Sequence, residues 1–176
     1  MPDSLALLLP DEQATRELGA LLARSLSGAT PTPVGGFVSL LLQGGLGSGK
    51  TTLVRGFVAA LPGAQQAEVS SPSFNLMNIY PTTPQVAHFD LYRSPGHAPE
   101  EFHDALDDRR LLVVAEWIEN IPRHDWPEEA LHLEWSAVPS GRALEIRALG
   151  KTARGLLESL APSFNQWRKL NQWQKG

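Results

Sequence analysis

One stretch of this chain has residue types and a spacing with a definite chemical use. Gly44-Gly45-Leu46-Gly47-Ser48-Gly49-Lys50-Thr51 follows the pattern G-x-x-x-x-G-K-[ST] in full. Glycines let successive backbone N–H groups converge on a phosphate that side chains would otherwise block. A lysine at position 50 brings a mobile ammonium to the β- and γ-oxygens, and the Thr51 hydroxyl can ligate Mg2+. The helix that opens at Lys50 points its positive end at the same place. A glycine-rich turn without a ligand is the competing explanation. Chance gives roughly one such match in 200 chains of this length, and here an apolar run precedes the loop and a helical pattern follows it. The segment is therefore read as a grip for the phosphates of Mg-ATP. Gly45, Leu46, Gly47, Ser48, Gly49, Lys50, Thr51 and Thr52 surround the nucleotide, and Lys50 also serves any transfer or hydrolysis.

A phosphate-bound Mg2+ needs a further protein contact, and two acids compete for it. Glu116 closes the apolar run Leu111–Ala115, whereas Asp90 closes the weaker run Val86–Phe89. Parallel strands deliver their C-terminal ends to the ligand crevice, so either carboxylate can reach the metal or the reacting phosphate. Pattern alone favours Glu116. Ser73, within Ser71-Pro72-Ser73-Phe74, offers a hydroxyl that could sense the terminal phosphate, although the residues alone favour a plain proline turn. His88 reads first as a structural histidine, and the tryptophans as core or tail anchors.

The elements that must hold these groups follow from periodicity. Apolar residues at Leu18, Leu21, Leu22 and Leu26 recur at helical spacing behind Asp11, a plausible N-cap, and the helix stops near Gly28. Phe37–Leu42 reads as a buried strand feeding the glycine loop, and Lys50–Leu61 as the helix beyond it. Phe74–Tyr80 and Val86–Asp90 flank the turn at Pro81–Pro84 as a hairpin. A short helix follows Pro99. Leu111–Ala115 is a second buried strand, Leu131–Trp135 and Ala143–Leu149 alternate as strands, and Thr152–Leu160 is a last helix. The expected fold is α/β: a mostly parallel central sheet with helices on both faces and a β-hairpin after the Ser71–Phe74 loop. Residues 1–160 are assigned to this domain and 161–176 to a C-terminal tail whose flexibility is left open. The tail repeats Asn165-Gln166-Trp167 at Asn171-Gln172-Trp173, an echo too short to mark a repeat.

Composition narrows the field. A chain of 176 residues suits one domain with a core that needs no staple. The absence of cysteine excludes disulfides, Cys-ligated zinc, iron–sulfur clusters and thiol catalysis. A net charge of −4 without a basic run disfavours independent nucleic-acid binding, so any link to RNA should pass through a partner protein. No stretch approaches the ~20 apolar residues of a membrane span, and the short apolar run Leu5–Leu9 lacks a basic segment ahead of it. A cytoplasmic location is the expectation.

Several strings occur together in a fixed order. They are Asp11–Thr15 with Leu18-Gly19, Gly44–Thr52 with Leu53-Val54-Arg55-Gly56, Ser71-Pro72-Ser73-Phe74, and His88-Phe89-Asp90-Leu91-Tyr92-Arg93, followed by Pro99-Glu100-Glu101 and Glu116-Trp117. Over about Asp11–Leu149 this set resembles the TsaE (YjeE) family, small P-loop ATPases of threonylcarbamoyladenosine formation in tRNA. The resemblance implies a weak, Mg-dependent ATPase that joins TsaB and TsaD and sustains threonylcarbamoyl transfer to adenosine 37, with tRNA met only through the complex. It implies phosphate and Mg2+ roles for Lys50 and Thr51, metal and hydrolytic roles for Asp90 and Glu116, and a switch role for Ser73. It also places Trp117 beside the active site and Glu12 near the nucleotide base. The sequence departs from the family pattern at Gly45 (usually Asp), Ser73 (usually Thr), Asn78 (commonly Glu) and Ile118 (usually Pro). A small-molecule kinase and a non-hydrolysing nucleotide-dependent scaffold stand as alternatives. A GTPase is disfavoured, since no Asn-Lys-x-Asp occurs.

Overall fold

The computed structural model describes residues 3–29, 31–72 and 74–168. Seven strands, β1 (Ser4–Leu9), β2 (Ser39–Gln43), β3 (Met77–Tyr80), β4 (Gln85–Asp90), β5 (Leu111–Glu116), β6 (Ala130–Ser136) and β7 (Arg142–Leu149), form one sheet. Its spatial order is β1-β7-β6-β2-β5-β4-β3. The centre is parallel, β6 to β2, β2 to β5 and β5 to β4, while both flanks are antiparallel. The sheet is thus mixed, less parallel than its apolar runs imply. The runs at β2 and β5 are continuous because those strands are covered on both faces. The antiparallel flanks are the hairpins β3–β4 and β6–β7 and the long-range pair β1–β7, the last of which no local pattern records.

Helices α1 (Glu12–Gly28), α2 (Lys50–Ala59) and α4 (Lys151–Leu160) share one face with a core that includes Leu18, Leu22, Leu53, Phe57, Leu131 and Leu157. Helix α3 (Glu100–Asp107) covers the other face through Phe102 and Ala105, which pack with Phe89, Val113 and Ile118. Helices do lie on both faces, and the hairpin β3–β4 does follow the Ser71 loop.

Asp11 caps α1 by accepting the Ala14 N–H at 2.8 Å, satisfying one of the orphan donors of the first turn. Helices α1 and α2 meet at two glycines. A β-carbon added at Gly19 would overlap the Leu53 carbonyl oxygen, and one at Gly56 the Arg16 carbonyl oxygen. Hydrogen-sized side chains are what allow the two backbones to touch. The crossing holds the start of α1 beside the start of α2.

Two elements are not evident from pattern. Strand β1 pairs along its length with β7, and Ala161–Trp167 forms a 3-10 segment that buries Phe164 and Trp167 in the core. The first part of the expected tail is therefore packed against the sheet, where Arg168 bridges Leu7. The second Asn-Gln-Trp string lies outside the described residues. Among the described residues no helix is long and apolar enough to cross a membrane.

Candidate functional site

The glycine loop joins the end of β2 to the start of α2. Gly47 has φ 70° and Gly49, the residue before α2, φ 115°, left-handed values that a β-carbon would strain. No side chain caps α2, so its first N–H groups remain directed into the loop. A side chain at Gly44 would collide with Ser48 and Trp135, whereas at Gly45 it would stand in open space. The fold thus does not require glycine at 45, and the departure from the family's aspartate is a matter of charge rather than room.

Lys50 is only 5% exposed and folds back over the loop. Its ammonium donates to the Gly44 carbonyl, to the Gly45 carbonyl at 2.9 Å and to Ser48 Oγ at 3.4 Å. The Trp117 ring covers it at 4.1 Å. Burial pulls the Lys50 pKa below the ordinary lysine value, and the negative charges of Glu116, Glu119 and Asp90 oppose that shift. Trp117 reaches this position because it takes φ 60°, uncommon outside glycine, at the end of β5. The same ring meets Tyr92 in a tilted pair, 4.8 Å between centroids.

Strands β4 and β5 run parallel in a register that sets Asp90 beside Glu116. The two acids then differ in their partners. Glu116 accepts from Thr51 Oγ1 at 3.0 and 3.2 Å and faces His88 Nε2 at 2.8 Å. Asp90 accepts from Ser71 Oγ at 2.8 Å and from the Tyr92 N–H at 2.9 Å. A threonine hydroxyl next to a carboxylate is a hard-oxygen pair, the donor type that Mg2+ takes before completing its shell from phosphate and water. The residues fit that ion.

These groups line one cleft of about 480 Å³ together with Leu46, Gly47, Ser48, Thr52, Tyr92 and Arg93. Glu12, at the opening turn of α1, lines it too and pairs with Arg16 at 2.9 Å. Of the sequence-derived residues, Ser73 lies outside the described residues, and its neighbour Ser71 supplies the hydroxyl that meets Asp90. His88 is buried as a structural histidine would be, yet it bonds directly to Glu116. Sequence reasoning also passed over Arg142, which reaches the cleft from the start of β7, and Glu119. The Glu116-Trp117-Ile118-Glu119 string was the available signal for Glu119. None existed for Arg142, which only the sheet order brings near the loop.

Fold and site together define a mixed α/β domain whose glycine-rich loop enters a helix next to two strand-end carboxylates. The family model described as threonylcarbamoyl adenosine biosynthesis protein TsaE matches residues 9–144. A protein of that description from Rickettsia felis is 36% identical over 119 residues, 65% of this chain and 63% of its own length. The corresponding Streptomyces coelicolor protein is 33% identical over 146 residues, 80% of this chain and 90% of its own. The crystal structure of Bacillus subtilis YdiB superposes with a TM-score of 0.70 at 22% identity, covering 92% of this chain and 97% of that one, which supports the fold. The chain belongs to the TsaE family.

Proposed function

We propose that this protein binds Mg-ATP in the cleft above the glycine loop and hydrolyses it slowly in support of threonylcarbamoyl modification of adenosine 37 in tRNA, acting with TsaB and TsaD homologues. The observation that carries the reading is the convergence of Lys50, Thr51 and Glu116 at the mouth of a loop in which Gly47 and Gly49 take left-handed angles. The named relatives, proteins of threonylcarbamoyladenosine biosynthesis, point to the pathway.

Each residue then has a task. Loop N–H groups from Gly47 to Thr52, at the start of α2, cradle the phosphates, while Lys50 leaves the Gly44 and Gly45 carbonyls to meet the β- and γ-oxygens. Thr51 donates its hydrogen to Glu116, which keeps the hydroxyl lone pairs for a cation, and the pair would hold Mg2+. Magnesium bound there supplies neutralisation of the charge that spreads over the phosphate oxygens. Asp90, held by Ser71 and the Tyr92 N–H, faces the same region and orients the attacking water. As the water oxygen bonds to the γ-phosphorus, the bond to the β-phosphate oxygen breaks, giving ADP and phosphate. Ser73 remains the proposed sensor of the terminal phosphate, and Glu12 lies on the nucleoside side. The exposed Leu46, 82%, and Phe74, 90%, stand by the cleft as apolar contacts for the partner proteins.

Calorimetry and single-turnover phosphate release test the reading. Lys50→Ala should lose nucleotide affinity. Glu116→Gln and Asp90→Asn should lower turnover by about 100-fold or more while changing affinity less, because their roles grow with transition-state charge. Wild-type protein that takes up no purine triphosphate, with or without its partners, would overturn it. Because Gly45 lacks the family's acid, a non-hydrolysing scaffold is the second reading, and it predicts phosphate release equal to that of Lys50→Ala.

A further inference from the structure

A line of polar side chains crosses the face of the sheet beneath α2. Tyr80 on β3, His88 on β4 and Glu116 on β5 lie on neighbouring strands, each diagonal to the next: the direct partner of His88 is Asn78 on one side and Val114 on the other. Tyr80 Oη lies 2.9 Å from His88 Nδ1, and His88 Nε2 lies 2.8 Å from Glu116 Oε1. Beyond Tyr80 the line continues to the Ser70 carbonyl at 3.3 Å, and beyond Glu116 to Thr51 Oγ1. The side chains of His88 and Glu116 are 0% and 3% exposed, in a face otherwise built of Val86, Leu112, Val114 and Leu40.

Apolar side chains would fill such a face at no desolvation cost, so a buried polar row that holds together only when every member is bonded calls for a use. Here the hydrogen-bond directions are constrained. An ionised carboxylate only accepts, so Thr51 Oγ1 and His88 Nε2 both donate to Glu116. His88 occupies Oε1 and thereby fixes the carboxylate's rotation, while Oε1 and Oε2 both remain within reach of Thr51. The Tyr80 hydroxyl in turn stops the imidazole from turning, and burial raises the Tyr80 pKa, so the phenol keeps its hydrogen. Ser71 Oγ donates to Asp90, and the Ser70 carbonyl lies 3.3 Å from the Tyr80 hydroxyl, whose single hydrogen goes either to that carbonyl or to His88 Nδ1, so the segment abuts the partners of both acids.

We infer that His88, backed by Tyr80, is a positioning residue that holds the Glu116 carboxylate against Thr51 and couples it to the Ser70–Ser71 segment. The inference rests on the nucleotide reading above and adds to it a mechanical link between the loop and the cation-holding pair. Outer partners that orient a metal-holding carboxylate typically contribute about 10–100-fold in affinity or activity.

The test compares His88→Gln, His88→Leu and Tyr80→Phe in the whole protein, each checked for its melting transition. Glutamine can place an N–H near the former Nε2, whereas leucine cannot. Calorimetry should show ATP affinity without magnesium unchanged within about threefold in all three, and the gain on adding magnesium lowered about tenfold or more in His88→Leu but kept in His88→Gln. Turnover should divide in the same way, kcat falling with KM unchanged. Tyr80→Phe should fall between them, and it serves if His88→Leu does not fold. Equal loss in the glutamine and leucine variants, or none in either, would overturn the inference. Imidazole 15N shifts of the free protein need no nucleotide and decide the matter even if wild type binds none. Protonated Nε2, perturbed by Glu116→Gln, upholds the link, and an imidazole protonated at Nδ1 alone sinks it. A wild type that binds no nucleotide refutes the function proposed above instead.

Discussion

At the scale of single residues, burial and pairing decide what each group can do. Lys50 is nearly covered, yet its bonds go to backbone carbonyls and an aromatic face, partners that a phosphate can displace. His132 illustrates the opposite outcome. It is buried, bonds Gln43 Oε1 at 2.9 Å, and has its pKa pushed down to about 4, by burial first and then by Arg147 and Arg123, with Glu145 opposing. The unfolded chain, with an ordinary histidine, binds the proton more readily. Its contribution to stability is therefore full above about pH 6.5 and lost as pH falls toward about 4. In urea titrations between pH 6.5 and 5, wild type should lose stability with a slope of up to about 1.4 kcal/mol per pH unit from this group, and His132→Gln should flatten the curve. A curve unchanged by the substitution would refute the assignment. Lys50, Thr51, Asp90 and Glu116 were legible in the sequence because a loop motif and two strand ends are local signals. The bonds of His88, Ser71 and Arg142 were not, since each depends on which strands lie side by side.

At the scale of elements, the helix that follows the glycine loop and the helix whose first turn borders the cleft are joined at Gly56 and Gly19. Alanine normally favours a helix over glycine by about 1 kcal/mol, but here its β-carbon meets a carbonyl oxygen that cannot step aside. Gly19→Ala and Gly56→Ala should each destabilise the protein by about 2 kcal/mol or more, read as a lower urea midpoint with an unchanged slope. A neutral or stabilising result would mean that the crossing is looser than drawn. The pattern named Leu18-Gly19 and Arg55-Gly56 without giving this reason, because periodicity records where apolar residues fall and not how closely two backbones approach. Strand β1 escaped for a related cause: Leu5–Leu9 becomes a strand by pairing with Arg142–Ile146, far along the chain. The hairpin and the two central strands needed no such distant information.

At the scale of the whole molecule, the parallel centre of the sheet presents its strand ends to one cleft, and both flanks close by antiparallel returns. Three of the exposed large apolar residues, Leu46, Phe74 and Tyr92, stand around that cleft, while Leu8, Val34 and Ile79 are exposed elsewhere. Phe74→Ser should leave melting temperature and ATP affinity unchanged and reduce partner-stimulated turnover by about tenfold, since exposed aromatic and apolar anchors dominate protein contacts. Stimulation equal to wild type would place the partners elsewhere. The glycine seam has a last consequence. With α1 and α2 touching backbone to backbone, a ligand gripped at the head of one helix also clamps the other, so nucleotide uptake should raise the melting point of the entire domain as one cooperative unit. Sequence drift at that seam would then erode ligand retention and thermal endurance together, leaving evolution no way to trade one against the other.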